Sequence, residues 1–223
     1  MNATNKQMWI DLRLALEHIK NDPNIKVLII TGEGKSFSSG ADLNESRERS
    51  IEEYRNYLIE VRETTRQIIN FDKPIIAAVN GYAIGSGHYL ALACDIRIAA
   101  EDAKIGSPEA QIASSNVGGA SILLQNLIGT GKARELLFTG EFIDGKEAER
   151  IGLVNKAVPL SRLMETTREM AKKISKNNSF SIKMIKKAFN IALSDISLEA
   201  LLDYEIEACL ACISEKKMAN FSE

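Results

Sequence analysis

Long uninterrupted apolar runs and an excess of charge of one sign are both missing from this sequence. The net charge of the 223 residues is -2, with Lys and Arg interspersed among Asp and Glu, so we expect neither nucleic-acid binding nor a polybasic membrane patch. The most apolar region, 75–100, is interrupted by Asn80, His88, Asp95 and Arg97, which argues against a membrane span. The first residues show no cationic segment followed by an apolar core, so no signal peptide is indicated and a cytoplasmic protein is expected.

Cysteine and histidine are also scarce. Three cysteines are too few, and the wrong parity, for a disulfide framework. Cys209 and Cys212 form a lone C-x-x-C, but the chain has no second pair and only two histidines to complete a ligand set. We therefore interpret them as small core-facing side chains and expect no metal site.

Apolar spacing predicts strands that alternate with helices. Trp9, Leu12 and Leu16 lie on one face of a helix over 6–20, and 75–79 is apolar throughout, as in a strand covered on both faces. The other predicted elements are strands at 26–31, 96–99, 103–106 and 152–158, a glycine-rich turn at 81–87, and helices at 45–70, 117–128, 132–138, 182–192 and 198–213. This order predicts an α/β fold, and the final helices, with no strands between them, predict a separate helical lobe.

Two glycine motifs raise the question of nucleotide binding. Gly34-Lys35-Ser36 follows a predicted strand, but a P-loop needs a glycine where Ile29 stands, and its Ser should open a helix. A dinucleotide fingerprint starting at Gly85 would place Leu90 where a small residue belongs. Neither motif is complete, so both alternatives are disfavoured.

The turns at 38–42 and 81–87 each follow a buried strand. Glycine allows the backbone a positive φ and a close approach to a ligand, and a turn that enters a helix leaves N–H groups unpaired. Two such groups aimed at one oxygen would form an oxyanion hole. From the glycines alone, tight turns without a function are the favoured interpretation.

Three stretches carry a resemblance to a known family: GKSFSSGADL, KPIIAAVNGYAIGSGHYLALACDIRIAAEDAKIGSPEA and GTGKARELLFTGEFIDGKEAERIGLVNKAVP. In this order and spacing they resemble the crotonase, or enoyl-CoA hydratase/isomerase, superfamily, from Asn2 to the C-terminal helices. The resemblance implies a spiral of ββα turns over residues 1–160, which binds acyl-CoA. It also implies a C-terminal helical oligomerisation lobe over 161–223, in a homotrimer or a dimer of trimers.

The resemblance assigns roles to backbone amides. Ala41 matches the first oxyanion-hole amide, and Ser86 matches the second, a position that is usually glycine. The loop at 39–44 matches the segment that contacts the nucleotide end of coenzyme A, whereas Lys35 is expected to be a surface charge. The residues expected to bind the substrate or its coenzyme A are Ser39, Gly40, Asp42, Leu43, Gly85, Gly87 and Val117.

The resemblance also places the acid–base chemistry. Of the two carboxylates that carry hydration in the family, the second falls on Glu109, whereas Tyr89 stands where the first belongs. Val117 replaces a glycine whose amide helps to hold the water. Glu109 alone suffices for moving a proton between C2 and C4 of an enoyl thioester. His88 either lines the pocket wall, which we favour, or tunes Tyr89.

The expected protein is therefore an acyl-CoA enzyme, an enoyl-CoA isomerase or a weak hydratase. A decarboxylase or hydrolase of the same fold, and a catalytically weak acyl-CoA-binding member, are the alternatives. No cofactor is expected, since coenzyme A is part of the substrate. Members of the family carry an N-terminal β-hairpin ahead of the segment matching 2–12, so either a longer chain supplies it or the pocket is open at that edge.

Overall fold

The computed structural model describes residues 1–192. The predicted helix at 198–213, with Cys209 and Cys212, lies outside the described residues, as does the 193–223 part of the predicted oligomerisation lobe. The strands are β1 (Leu28–Thr31), β2 (Ser36–Ser38), β3 (Ile75–Val79), β4 (Tyr82–Ile84), β5 (Ile96–Ala100), β6 (Lys104–Gly106), β7 (Ile143–Asp144) and β8 (Lys156–Val158). The α-helices of the described part are α1 (Lys6–Lys20), α2 (Leu43–Glu48), α3 (Ile51–Ile69), α4 (Ser86–Ala93), α5 (Ala120–Ile128), α6 (Thr130–Thr139), α7 (Gly145–Arg150), α8 (Leu160–Ser175) and α9 (Ser179–Ala192), and a 3-10 helix covers Glu109–Ile112.

Within residues 1–192 the strands form two four-stranded sheets, and the chain passes alternately from one to the other. The first sheet has the order β1-β3-β5-β8 and is parallel throughout. The second has the order β2-β4-β6-β7, with only the last pair antiparallel. Each pair of successive strands, β1–β2, β3–β4 and β5–β6, places its first strand in the first sheet and its second strand in the second sheet, and a helix follows. The chain therefore winds as a spiral of ββα turns. The α/β fold predicted from the sequence is confirmed.

Strand β3 lies at the centre of the core and is covered on both faces. Its five residues are all buried, in the alternation that a pleated strand dictates. Ile75, Ala77 and Val79 belong to the cluster beneath α1, α3 and α4, whereas Ile76 and Ala78 pack with Leu163 of α8. The uninterrupted apolar run in the sequence follows from this double burial, and α8 covers the sheet directly.

Side-chain caps define where several helices begin. Asn5 accepts a hydrogen bond from the Met8 amide at the start of α1. Ser50 and Glu53 form a reciprocal capping box at the start of α3, which divides the single helix predicted over 45–70 into α2 and α3. None of the helices of residues 1–192 is both long and apolar enough to cross a bilayer.

Four other sequence predictions need correction. The glycine-rich segment 81–87 is not one turn, because it contains strand β4 and the first residues of α4. The turn expected at 38–42 begins one residue later, because Ser38 is the last residue of strand β2, which pairs with β4. The helix predicted from 117 begins at Ala120, and the strand predicted over 152–158 is reduced to β8.

Candidate active site

Two chain segments meet where strands β2 and β4 end. These strands are parallel neighbours, so the segment after β2, with Ala41, lies beside the segment after β4, with Ser86. The approach is close: a β-carbon on Gly40 would stand 2.8 Å from the Ile84 carbonyl oxygen, and one on Gly87 would stand 2.5 Å from the Ser38 carbonyl oxygen. Glycine is therefore required at these two positions for the segments to meet.

The Ala41 amide is not used by the strand pairing around it. Thr4 forms a parallel bridge to Ala41, in which the Thr4 amide donates to Gly40 O at 2.8 Å and the Asp42 amide donates to Thr4 O at 3.0 Å. Successive amides of an extended chain point in opposite directions, so the Ala41 N–H points away from Thr4. This geometry leaves the Ala41 N–H available as a donor.

Ser86 is the first residue of α4. It follows Gly85, whose positive φ of 52° turns the chain from β4 into the helix without a side-chain cap. The first amides of a helix have no acceptor within it, and the helix dipole places positive charge there. The Ser86 side chain is buried, and its Oγ lies 2.6 Å from Oγ1 of Thr4.

Thr4 is a residue of the site that sequence analysis missed. Besides its bond to Ser86, its Oγ1 lies 3.0 Å from the hydroxyl of Tyr57 on α3. All three hydroxyl-bearing residues are buried, so this chain of hydrogen bonds is shielded from solvent. No local pattern in the sequence indicated it, because the three residues come from distant parts of the chain.

Glu109 begins the 3-10 helix and points toward the Gly85 turn. Its Oε1 lies 2.9 Å from the position that a β-carbon on Gly85 would occupy. Its Oε2 is buried and has no hydrogen-bond partner in the described structure. Burial raises the pKa of this carboxyl above 4.5, although a contact with Tyr89 partly offsets the effect. A carboxyl with a raised pKa and a free oxygen is suited to accept and return a proton.

Tyr89 lies on α4 beside Glu109. Its hydroxyl donates a hydrogen bond to Oδ1 of Asn116 at 2.9 Å. Burial raises its pKa well above the usual value, and the neighbouring Glu109 carboxyl adds to this. The phenol therefore stays neutral and acts as a hydrogen-bond donor rather than as a base. Sequence analysis missed Asn116, although it directly precedes Val117.

His88 is buried on α4 and points to a different partner. Its Nδ1 lies 2.9 Å from Oγ of Ser107, whereas its Nε2 is buried with no partner in the described structure. Burial, followed by the charge of Arg97, lowers its pKa to about 4, so it is neutral at physiological pH. The rings of His88 and Tyr89 are 6.4 Å apart and share no hydrogen bond. These contacts support a place in the pocket wall.

The remaining predicted binding residues lie around the two segments. The Asp42 side chain caps α2 by accepting from the amides of Asn44 and Glu45, and Leu43 is exposed at the start of that helix. The Ser39 amide donates to Met1 O at 3.1 Å. Val117 is half-buried against the core. Their contacts with coenzyme A stay predictions.

The structure argues against the P-loop alternative. Ser36 opens strand β2 and its hydroxyl bonds to the Tyr82 carbonyl oxygen, so it does not open a helix that could bind phosphate. Lys35 is exposed. Within residues 1–192, no three side chains of His, Cys, Asp or Glu come together as a metal ligand set.

Comparison with known proteins identifies the family. The enoyl-CoA hydratase/isomerase family profile matches residues 1–223. The chain belongs to this family. It is 39% identical over 215 residues to a short-chain-enoyl-CoA hydratase of Clostridium acetobutylicum, and the aligned region covers 96% of this chain and 82% of the relative. It is 36% identical over 234 residues to a crotonyl-CoA hydratase of Syntrophomonas wolfei, and the aligned region covers 99% of this chain and 90% of the relative.

Solved structures agree with the family membership. The crystal structure of an enoyl-CoA hydratase from Bacillus anthracis superposes with a TM-score of 0.92 at 36% identity, over 95% of this chain and 82% of that one. The resemblance to the crotonase superfamily is thereby confirmed, and with it the crotonase-like fold. As a member of the enoyl-CoA hydratase/isomerase family, the protein is an acyl-CoA enzyme. The roles of individual residues, the oligomer and the absence of a cofactor stay predictions.

Proposed function

We propose that this protein isomerises enoyl-CoA thioesters, with Glu109 as the proton shuttle and the amides of Ala41 and Ser86 as the donors of an oxyanion hole. The observation that carries the proposal is the pairing of Glu109 with a neutral phenol. Tyr89 stands where a second carboxylate would serve hydration, and its hydroxyl is bonded to Asn116. One carboxylate beside two free amides is sufficient for moving a proton between two carbons.

The two amides would stabilise the charge that develops on the thioester oxygen. Removal of a proton from C2 places negative charge on this oxygen, and two N–H groups aimed at it stabilise the enolate. A single donor of this kind is typically worth 10²–10³ in rate, about 3 kcal/mol. The unpaired amides at Ala41 and at the start of α4 support this assignment.

The proton transfer would use a single carboxylate. The Glu109 carboxylate removes a proton from C2 of a 3-enoyl thioester. The electron pair of the broken C2–H bond is then delocalised over C2, C4 and the carbonyl oxygen as a dienolate. The carboxylic acid then returns the proton at C4, which leaves the 2-enoyl thioester and regenerates the base. The raised pKa of Glu109 lies closer to neutral pH than that of an ordinary carboxyl, which suits a group that alternates between carboxylate and carboxylic acid.

Hydration of a 2-enoyl thioester is the second candidate. The relatives named above are hydratases, and their similarity covers nearly the whole chain. Hydration needs one group to take a proton from water and another to supply a proton to carbon. A neutral Tyr89 can hold a water but is a poor base, so we expect hydration to be the slower reaction.

A panel of CoA thioesters tests the proposal. Purified protein is incubated with 2-enoyl, 3-enoyl, 3-hydroxyacyl and malonyl-type thioesters in deuterated water, and products are followed by mass spectrometry and chromatography. We expect interconversion of 3-enoyl and 2-enoyl isomers to exceed water addition. Faster water addition would favour the hydratase, and loss of carbon dioxide a decarboxylase. Tight binding without turnover of any thioester would indicate a binding protein.

A further inference from the structure

Thr4 contacts both of the segments that carry the proposed oxyanion donors. Its backbone pairs with the residues on either side of Ala41, and its side chain bonds to Ser86. We propose that Thr4 is a positioning residue, which fixes the distance between the Ala41 and Ser86 amides. This inference rests on the proposed function and adds a residue to its machinery.

The backbone half of this contact holds the Ala41 peptide. Hydrogen bonds of 2.8 and 3.0 Å join Thr4 to Gly40 O and to the Asp42 amide. The segment that contains Thr4 is itself attached to β2, because Nδ2 of Asn2 donates to Ser36 O at 2.7 Å. The Ala41 amide is therefore aimed by two bonds that do not involve it.

The side-chain half holds the Ser86 peptide. The bond between the two hydroxyls is short, at 2.6 Å, and Thr4 is fully buried while Ser86 is 6% exposed. No water competes for a buried bond of this kind, so it constrains the position of Ser86 strongly. A glycine at 86 would carry the same amide but could not be anchored in this way.

Tyr57 extends the anchor toward the segment expected to bind coenzyme A. Its hydroxyl lies 3.0 Å from Oγ1 of Thr4, and the guanidinium of Arg49 lies 4.0 Å above its ring. Arg49 directly follows α2, which begins just after Ala41. A series of contacts therefore runs from Ala41 through α2, Arg49, Tyr57 and Thr4 to Ser86.

Single-atom substitutions separate positioning from stability. Thr4→Val keeps the shape and the backbone bridge but removes the hydroxyl, whereas Thr4→Ser keeps the hydroxyl. Thr167→Val is the matched control, because Thr167 is also fully buried and its hydroxyl donates to Leu163 O on α8, away from the site. Each variant is assayed for kcat and KM at a temperature where circular dichroism shows it folded.

We expect Thr4→Val to lower kcat about tenfold with KM changed less than about twofold, since misplaced donors weaken transition-state more than ground-state binding. Thr4→Ser and Thr167→Val should stay within about twofold of the parent. Ser86→Ala removes the same bond from its other end, so it should resemble Thr4→Val and add little to it in the double variant. Additive losses, or an unchanged kcat in both single variants, would overturn the inference.

A spectroscopic measurement distinguishes failure of this inference from failure of the proposed function. A 2-enoyl thioester labelled with ¹³C at the carbonyl is bound to Glu109→Gln, and its carbonyl stretch is measured by infrared difference spectroscopy. We expect a lower frequency than in free ligand, and a return toward the free value when Thr4→Val is added. If the frequency is lowered equally with and without Thr4→Val, only the inference fails. If it is not lowered even with Thr4 intact, the proposed oxyanion hole fails as well.

Discussion

The two sides of the candidate site differ in how their buried polar groups are paired. On the donor side, the hydroxyls of Thr4, Tyr57 and Ser86 all have partners within the described chain. On the acid–base side, Oε2 of Glu109 and Nε2 of His88 are buried without one. Buried polar groups without partners are uncommon in folded proteins because each costs about 1–3 kcal/mol.

This difference fits the two roles proposed for the two sides of the site. Donors that stabilise charge act best when they are already fixed, and the hydroxyl chain on the donor side supplies that rigidity. A proton shuttle must instead keep an oxygen free for the carbon that it serves. The unpaired oxygen of Glu109 is thus consistent with a group that completes its contacts only with the substrate.

The largest effect is expected from Glu109→Gln, which removes the base and keeps the shape of the side chain. We expect turnover to fall by roughly 10²–10⁴, the usual contribution of general acid–base catalysis, while thioester binding persists. The measurement is steady-state turnover together with a thermal shift by the thioester. The matched control is Glu141→Gln, an exposed glutamate, which should keep parental turnover. Turnover that survives Glu109→Gln would place the proton transfer on another group.

Much of the fold could be predicted from the sequence, and the sequence also indicated the candidate site residues. Strand β3 could be recognised because a strand buried on both faces leaves an uninterrupted apolar run. The family resemblance proposed Ala41, Ser86, Tyr89 and Glu109 as candidates, and the structure brings their segments together. A local signal was available for the division between α2 and α3 as well, in the capping box that starts at Ser50.

The remainder depends on contacts between residues far apart in the chain. Strand β4 could not be predicted from three residues flanked by glycines, because its pairing with β2 and β6 is what makes it a strand. Thr4 is separated from Ser86 by 82 positions, and Tyr89 from Asn116 by 27. Neither hydrogen bond has a local pattern, so only the tertiary structure reveals these partners.

The burial of His88 can be tested through the pH dependence of the free energy of unfolding. The folded protein keeps this imidazole neutral down to a pKa of about 4, whereas the unfolded chain takes up a proton near 6.5. The unfolded state therefore binds more protons between these values, and the free energy of unfolding should fall as the pH drops through this window. The contribution is on the order of 3 kcal/mol when complete.

Urea unfolding of His88→Asn across this pH range measures the effect. The asparagine amide can keep a bond to Ser107 but does not titrate, so the gap in unfolding free energy between parent and variant should narrow as the pH falls. His18→Asn is the matched control, since the other histidine is exposed on α1. A gap that stays constant from pH 7 to pH 4 would show that burial of His88 does not shift its proton affinity.

The smallest effect is expected from Tyr89→Phe. A phenol whose pKa lies above its usual value is neutral throughout the working range, so its removal takes away a hydrogen-bond donor and no base. The bond to Asn116 is lost, but Asn116 is only half-buried and water can replace the hydroxyl. We expect a loss of about two- to fivefold in isomerisation, in line with one neutral hydrogen bond. Tyr82→Phe, at an exposed tyrosine of β4, is the matched control and should be unchanged. A loss in Tyr89→Phe as large as that in Glu109→Gln would mean that the phenol takes part in the proton transfer. Glu109 would then no longer be the single proton shuttle beside a neutral tyrosine.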